Sequence, residues 1–258
     1  MTSEGAYAAF YERLGREYPE TQHVHGQDPR RFRIILAELA PFAARKAHML
    51  DVGCNDGVYT IPYCRDGGIS HGIDISPPLV AKAQARAACL PATFEVADIE
   101  AYRSEIRYDL VLMSEVLEHV RNPSTAVENA VRLTKPGGHL LLSTPSARAN
   151  VPALRYLLRL SQGRVAEEYT VDTDRTVLGE QYRLGGFQYR HDHYYLTGLR
   201  RWLERYGLRT VRGYTAVQAG TTAFSGLLSR LEPHLDLRRV PLLNLFGLHV
   251  FLLMKRRD

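Results

Sequence analysis

The sequence predicts an α/β protein built on an open, mostly parallel sheet with helices on both faces. Short apolar runs alternate with helical stretches from residue 47 to residue 143, the order of a parallel sheet joined by right-handed crossovers. The first run, His48-Met49-Leu50-Asp51-Val52, opens into a turn punctuated by glycine, Gly53-Cys54-Asn55-Asp56-Gly57. A later strand, Gly72-Ile73-Asp74, ends on a carboxylate. A chain of 258 residues suffices to cover such a sheet on both faces.

Each element has its own signal. Helices are expected over 4–17 and 29–43, the second with Phe32, Ile35, Leu36 and Leu39 at helical spacing and Pro41 near its end. Strands follow at Ala47 to Val52, Ser70 to Asp74, Thr93 to Ala97, Tyr108 to Met113 and His139 to Ser143. Helices are expected between them near 57–66, 78–89 and 122–134. Beyond Pro145 the pattern loosens over 146–190, too long for an ordinary connection and so read as a lid or substrate cap. Within it, Leu154, Leu157 and Leu158 form an apolar helical stripe beside Arg155 and Arg159. A helix from Thr197 to Tyr206 is stopped by Gly207, and a strand spans Leu208 to Ala216. An amphipathic stretch then carries Phe224, Leu227, Leu228 and Leu231, and Leu248 to Met254 reads as a last buried strand. These make seven strand candidates.

Composition narrows the class. No run approaches the roughly 18 uninterrupted apolar residues of a membrane span, and the first residues lack the pattern of a signal peptide, so a cytoplasmic protein is expected. Cys54, Cys64 and Cys89 have neither an even count nor C-x-x-C spacing, which argues against a disulfide framework or a cysteine zinc site. A charge of +5, from 33 basic and 28 acidic residues, is carried by scattered arginines rather than a basic stripe. A nucleic-acid partner is therefore disfavoured.

The glycine turn and the acid on the following strand are how an open α/β sheet holds an adenosine-containing cofactor. A dinucleotide fingerprint needs G-x-G-x-x-G, whereas this chain offers Gly53-x-x-x-Gly57. Asp51, just before the turn, is a poor neighbour for a pyrophosphate and a suitable one for the cationic amino acid end of S-adenosylmethionine.

The run Leu50-Asp51-Val52-Gly53-Cys54-Asn55-Asp56-Gly57 resembles motif I of the class I S-adenosylmethionine-dependent methyltransferases. His71 to Ser76 is similar to that family's second strand, Val96-Ala97-Asp98-Ile99 to its adenine-contacting segment, and Tyr108 to Val120 to its fourth strand and active-site turn. Leu133 to Ser143 resembles the helix, turn and fifth strand that complete the core. Asn55 departs from the glycine many relatives carry, but asparagine tolerates positive φ. In this order and spacing the motifs are specific where each alone is weak. The resemblance implies a Rossmann-like seven-stranded fold in a single domain over 1–258. It divides into an N-terminal helical cover over 1–44, a cofactor-binding core over 45–145, a substrate cap over 146–190, and a helix and strands over 191–258. It assigns cofactor binding to Asp51, Gly53, Cys54, Asn55, Gly57, Asp74, Ile75, Asp98, Ile99 and Ser114, with Asp74 on the ribose hydroxyls.

Methyl transfer from a sulfonium is an in-line displacement, so the protein positions the acceptor and, for a hydroxyl, removes its proton. Candidate bases are His119, beyond the fourth strand, and His191 and His193 in Arg190-His191-Asp192-His193-Tyr194-Tyr195. If the turn after the fourth strand is helical, Glu115, Glu118 and His119 share one face. The E-x-x-E-H turn with the downstream Asp-His resembles ubiquinone-pathway O-methyltransferases and small-RNA 2′-O-methyltransferases. By that resemblance Glu115, Glu118, His119 and His193 would ligate magnesium or another divalent ion. The competing arrangement is metal-free, with a histidine as base.

The function expected is O-methylation of a hydroxyl on a small organic molecule. An alternative is metal-dependent methylation of a lipid-like or quinone precursor or of an RNA-terminal ribose, and the amphipathic stretches would suit peripheral membrane contact. Of different classes are a non-catalytic S-adenosylmethionine-binding regulator and a dehydrogenase, the latter marked by preference for NAD.

Overall fold

The structure, a computed structural model, describes residues 29–147, 169–171, 177–184, 187–216 and 249–258, with positions 9, 12 and 16. In chain order the elements are α1 (Pro29–Ala43), β1 (His48–Val52), α2 (Thr60–Arg65), β2 (Ile69–Asp74), α3 (Pro77–Arg86), β3 (Ala92–Val96), β4 (Tyr108–Ser114), α4 (Pro123–Leu133) and β5 (Thr134–Pro145). Then come β6 (Tyr169–Val171), β7 (Val177–Leu184), β8 (Phe187–Tyr194), α5 (Leu196–Glu204), β9 (Leu208–Ala216) and β10 (His249–Arg256).

Seven strands make a mostly parallel sheet in the order β3-β2-β1-β4-β5-β10-β9. β1 pairs in parallel with both β2 and β4, and β2 with β3. The chain runs outward from β1 to β3 and then returns to β4 on the other side of β1, so the sheet's switch point lies at the end of β1. Leu110 to Met113 of β4 and Met49 and Leu50 of β1 are fully buried, the apolar continuity that a parallel strand covered on both faces requires.

The helices follow from their sequences. α1 buries Ile35, Leu39 and Phe42, one face of a helical repeat. α4 starts at Asn122, whose side chain accepts the Thr125 N–H at 3.1 Å, and has Pro123 at its first position. Asp109 joins the starts of two strands, accepting the His48 N–H at 2.9 Å and the Lys135 ammonium at 2.7 Å.

Most expected elements are present, α1 and β9 with the expected bounds. Of the helix expected over 4–17, the described positions Ala9, Glu12 and Arg16 are helical, and Glu12 pairs with Arg16 one turn on. α3 stops at Arg86 rather than at 89, where Cys89 is left-handed with φ 69°. β5 begins at Thr134, well before His139, and its Gly138 passes so close to β4 that a Cβ would lie 3.2 Å from the Asp109 carbonyl. The stretch 146–190 is no plain loop: β6, β7 and the first half of β8 lie in it as parts of an antiparallel sheet, and the division expected at 190 falls inside β8. The missed signal is Gly185-Gly186 between two strand-length runs. The stripes at Leu154 to Leu158 and Phe224 to Leu231 lie outside the described residues. Among the described residues no helix is long and apolar enough to cross a membrane.

The chain divides into two compact units. One comprises Met1–Ser114, Asn122–Leu141 and Lys255–Asp258; the other comprises Glu115–Arg121 and Leu142–Met254.

Candidate functional site

In the first unit the turn after β1 has three left-handed residues, Gly53 (φ 69°), Asn55 (φ 54°) and Gly57 (φ 85°). Such a turn collapses unless its amides are held. The Gly53 and Cys54 N–H groups donate to the Ile73 carbonyl at 2.8 and 3.0 Å, and the Gly57 N–H to the Cys54 carbonyl at 2.9 Å. Asp74 accepts the Asn55 N–H on Oδ2 and the Ser76 N–H on Oδ1, both at 2.9 Å. The acid expected to meet a ribose therefore also ties the turn to the end of β2. Each of its oxygens keeps a second lone pair for a hydroxyl.

Asp51 is buried, and Thr60 donates to its Oδ2 at 2.7 Å. Burial pushes its carboxyl up to about 7; the Thr60 bond opposes the shift and the charge of Asp74 adds to it. Burial likewise raises the Cys54 thiol well above its ordinary range, so Cys54 fills space under the turn rather than acting as a nucleophile. Asp56 is buried and forms an ion pair with Arg86 at the end of α3, which also donates to the Asp56 carbonyl at 3.1 Å. Neither partner was marked by sequence, because no local pattern announces a pair 30 positions apart.

Asp98 accepts the Glu100 N–H at 2.9 Å, and buried Ile99 offers its carbonyl to Asn129 Nδ2 at 2.8 Å. Ile75 lies half-buried between Asp74 and the Ser76 cap of α3. Ser114 donates to the Tyr59 hydroxyl at 3.4 Å, and Tyr59 stacks on Phe32 of α1. Substituting Gly57 by alanine is expected to cost about 1–3 kcal/mol, since φ is positive and the new Cβ would stand 2.8 Å from Ile61 Cδ1. Denaturant titration measures this, and an unchanged midpoint would mean that the turn relaxes freely.

In the second unit Glu115 follows β4 in the left-handed region (φ 57°). Its N–H donates to the Ser143 carbonyl and Ser143 Oγ donates to its Oε1, both at 2.9 Å. Its Oε2 lies 3.0 Å from His249 Nδ1 at the start of β10. Glu118 is buried and accepts from Thr144 Oγ1 at 3.0 Å, with His119 Nε2 at 3.9 Å from its other oxygen. The expected helical face does not form: residues 117–119 are a turn closed by His119 N–H to the Val116 carbonyl at 2.9 Å, since left-handed Glu115 breaks the helix.

His191 and His193 lie on β8, paired with Glu180 and Leu178, not in a loop. Alternation along the strand sends His193 to the face opposite Asp192 and Tyr194. It is Asp192 and Tyr194 that meet the turn: the Asp192 N–H donates to the Glu118 carbonyl at 3.3 Å, and the Tyr194 hydroxyl reaches the Leu117 carbonyl at 3.5 Å. Among the described residues no three His, Cys, Asp or Glu side chains are placed to hold a metal.

A left-handed turn at the switch point of an open sheet, tied to an acid on the neighbouring strand, defines an α/β protein of the nucleoside-cofactor class. The chain belongs to the methyltransferase domain family, whose model matches residues 24–212. It is 33% identical over 129 residues to a ubiquinone biosynthesis O-methyltransferase of Photorhabdus laumondii, covering 48% of this chain and 53% of the relative. The chain spans about half the length of the curated relatives it matches. Among solved structures it is similar to magnesium protoporphyrin IX methyltransferase from Synechocystis with bound S-adenosylhomocysteine (TM-score 0.60, 16% identity, 98% of this chain and 100% of that one). It is also similar to a Burkholderia thailandensis 1,6-didemethyltoxoflavin-N1-methyltransferase (TM-score 0.59, 16% identity, 100% of this chain and 92% of that one). At these identities the structures establish the fold, which is that of the S-adenosylmethionine-dependent methyltransferases.

Proposed function

We propose that this protein transfers a methyl group from S-adenosylmethionine to a hydroxyl of a small organic molecule. The observation that carries the reading is the Gly53–Gly57 turn held open by Asp74. The donor set fits the cofactor: Asp74 has lone pairs for the ribose hydroxyls, and Asp98 and Ile99 correspond to the adenine segment. Asp51 and Asp74 supply the negative field that a cationic donor needs and a pyrophosphate would resist. The bound cofactor supplies a methyl group already activated by the sulfonium charge.

The protein's own task is to orient the acceptor and take its proton, and the carboxylate and imidazole groups of the second unit suit a hydroxyl. The name of the Photorhabdus relative supports oxygen as the accepting atom, whereas the fold alone does not choose, since it also serves an N1-methyltransferase. Calorimetry with S-adenosylhomocysteine is expected to give one-site uptake. A screen of phenols and catechols with S-adenosylmethionine, read by mass spectrometry, is expected to yield an O-methyl product. No uptake of S-adenosylhomocysteine, or uptake of NAD in its place, would overturn the assignment.

A further inference from the structure

We propose that Asn129 of α4 is the positioning residue that aims Asp98 at the nucleobase of the cofactor; the inference rests on the methyl-transfer reading above. All the residues involved lie in the first unit, together with the cofactor turn. The segment after β3 begins beside the end of β2, where the Ala97 N–H donates to the Asp74 carbonyl at 2.9 Å. Asp98 and Ile99 therefore stand at the carboxyl edge of the sheet, next to the acid that is tied to the Gly53–Gly57 turn. There the chain folds back on itself, and the Asp98 carbonyl accepts the Ala101 and Tyr102 N–H groups at 3.0 and 2.8 Å.

Asn129 lies on the buried face of α4, at helical spacing with Ala126, Ala130 and Leu133. Asparagine is a poor helix former, and an apolar residue would pack there at less cost. A buried amide must also have its hydrogens accepted. Nδ2 donates to two successive carbonyls, those of Ile99 at 2.8 Å and Glu100 at 2.9 Å, so both carbonyls point towards α4. A peptide unit is planar and trans, so turning the Ile99 carbonyl to α4 sends the N–H of the same unit, that of Glu100, the opposite way. That N–H donates to Asp98 Oδ1 at 2.9 Å. A single peptide plane thus links the Asn129 amide to the Asp98 carboxylate. α4 holds the segment at two further points: the Asn122 N–H donates to Glu100 Oε2 at 3.1 Å, and Arg132 donates to the Tyr102 carbonyl at 3.0 Å. Without the Asn129 amide the Ile99–Glu100 plane loses its anchor, and the carboxylate loses the bond that orients it. A carboxylate accepts hydrogen bonds and donates none, so at this place it selects a base bearing an amino group over one bearing a carbonyl oxygen.

Two measurements on the full chain test this. In calorimetry the wild-type protein is expected to bind S-adenosylhomocysteine at least about 10-fold more tightly than S-inosylhomocysteine, in which oxygen replaces the amino group of the base. Asn129→Ala is expected to weaken S-adenosylhomocysteine by about 10-fold or more and to bring the ratio of the two affinities close to one. The control is Thr134→Val, which removes the 2.8 Å bond to the Ala130 carbonyl at the end of the same helix and is expected to leave that ratio unchanged. Equal weakening of both ligands in Asn129→Ala, or the same change of ratio in Thr134→Val, would make Asn129 merely structural. Unchanged binding in Asn129→Ala would also overturn the proposal. The second measurement needs no variant: in nitrogen-15 spectra of the wild-type protein, the side-chain amide pair of Asn129 is expected to shift on uptake of S-adenosylhomocysteine, and an unmoved pair overturns the proposal. A wild-type protein that binds the two ligands equally tightly overturns it as well and leaves the methyl-transfer reading intact. That reading fails separately, if wild-type protein takes up no S-adenosylhomocysteine.

Discussion

Asp51→Asn is expected to make the protein more stable above about pH 7 while weakening its hold on S-adenosylmethionine. The buried carboxyl of Asp51 is raised from 3.8 to about 7, chiefly by burial, and Thr60 offsets part of the shift. Below 3.8 the group is protonated in both folded and unfolded chains and contributes nothing to the pH dependence. Between 3.8 and about 7 the folded chain retains a proton that the unfolded chain has released, so stability falls as pH rises through that window. Above about 7 the full cost is present, on the order of 4 kcal/mol for a shift of about 3 pH units. Asparagine carries no charge to desolvate and can still accept from Thr60. Melts of the two proteins should converge near about pH 4 and separate above neutrality; parallel curves across the range would show that Asp51 ionises normally. A cation arriving beside Asp51 favours the carboxylate, so wild-type affinity for S-adenosylmethionine should rise with pH through about 7 with release of a proton. Calorimetry in buffers of different ionisation enthalpy detects that proton, and a flat affinity would place the cofactor's amino group elsewhere.

Arg86→Met is expected to lose both stability and cofactor affinity, and Asp56→Asn added to it is expected to restore much of each. Asp56 is almost fully enclosed, its side chain 3% exposed, whereas that of Arg86 is 45% exposed. Removing the guanidinium leaves the carboxylate without that countercharge, a change that costs about 3–5 kcal/mol for a buried pair and less where one partner meets solvent. About 2 kcal/mol is expected here. The turn carrying Asn55 and Gly57 then loses the bond from Arg86 to the Asp56 carbonyl, so S-adenosylhomocysteine should bind at least about 10-fold more weakly. Neutralising Asp56 removes the buried charge and with it the penalty. If the double variant is as weak as the single one, Arg86 acts by packing, and if the single variant binds normally, the turn holds itself.

Much of the fold was legible because its signals are local. The apolar runs at β1, β4 and β10, the Asn122-Pro123 start of α4 and the Gly207 stop after α5 each lie within a few residues of the structure they specify. The turn residues Gly53, Asn55 and Gly57 and the acid Asp74 were legible for the same reason: a left-handed turn demands glycine or asparagine, and the acid ends the next strand. What was not legible depended on backbone conformation and on distance along the chain. Glu115, Glu118 and His119 would share a face only on a helix, and the left-handed conformation of Glu115 makes the stretch a turn instead.

By itself the sequence determined the α/β class, the order of the first five strands, the glycine turn after the first of them and the family, all of which are written in contiguous residues. Only the tertiary structure decided that Arg86 reaches Asp56, that Asp74 spends an amide bond on each oxygen, and that His249 faces Glu115 from a strand more than a hundred residues away. The reason is physical: a local pattern encodes backbone conformation and which side is buried, whereas partners brought together by sheet order carry no mark in the residues beside them.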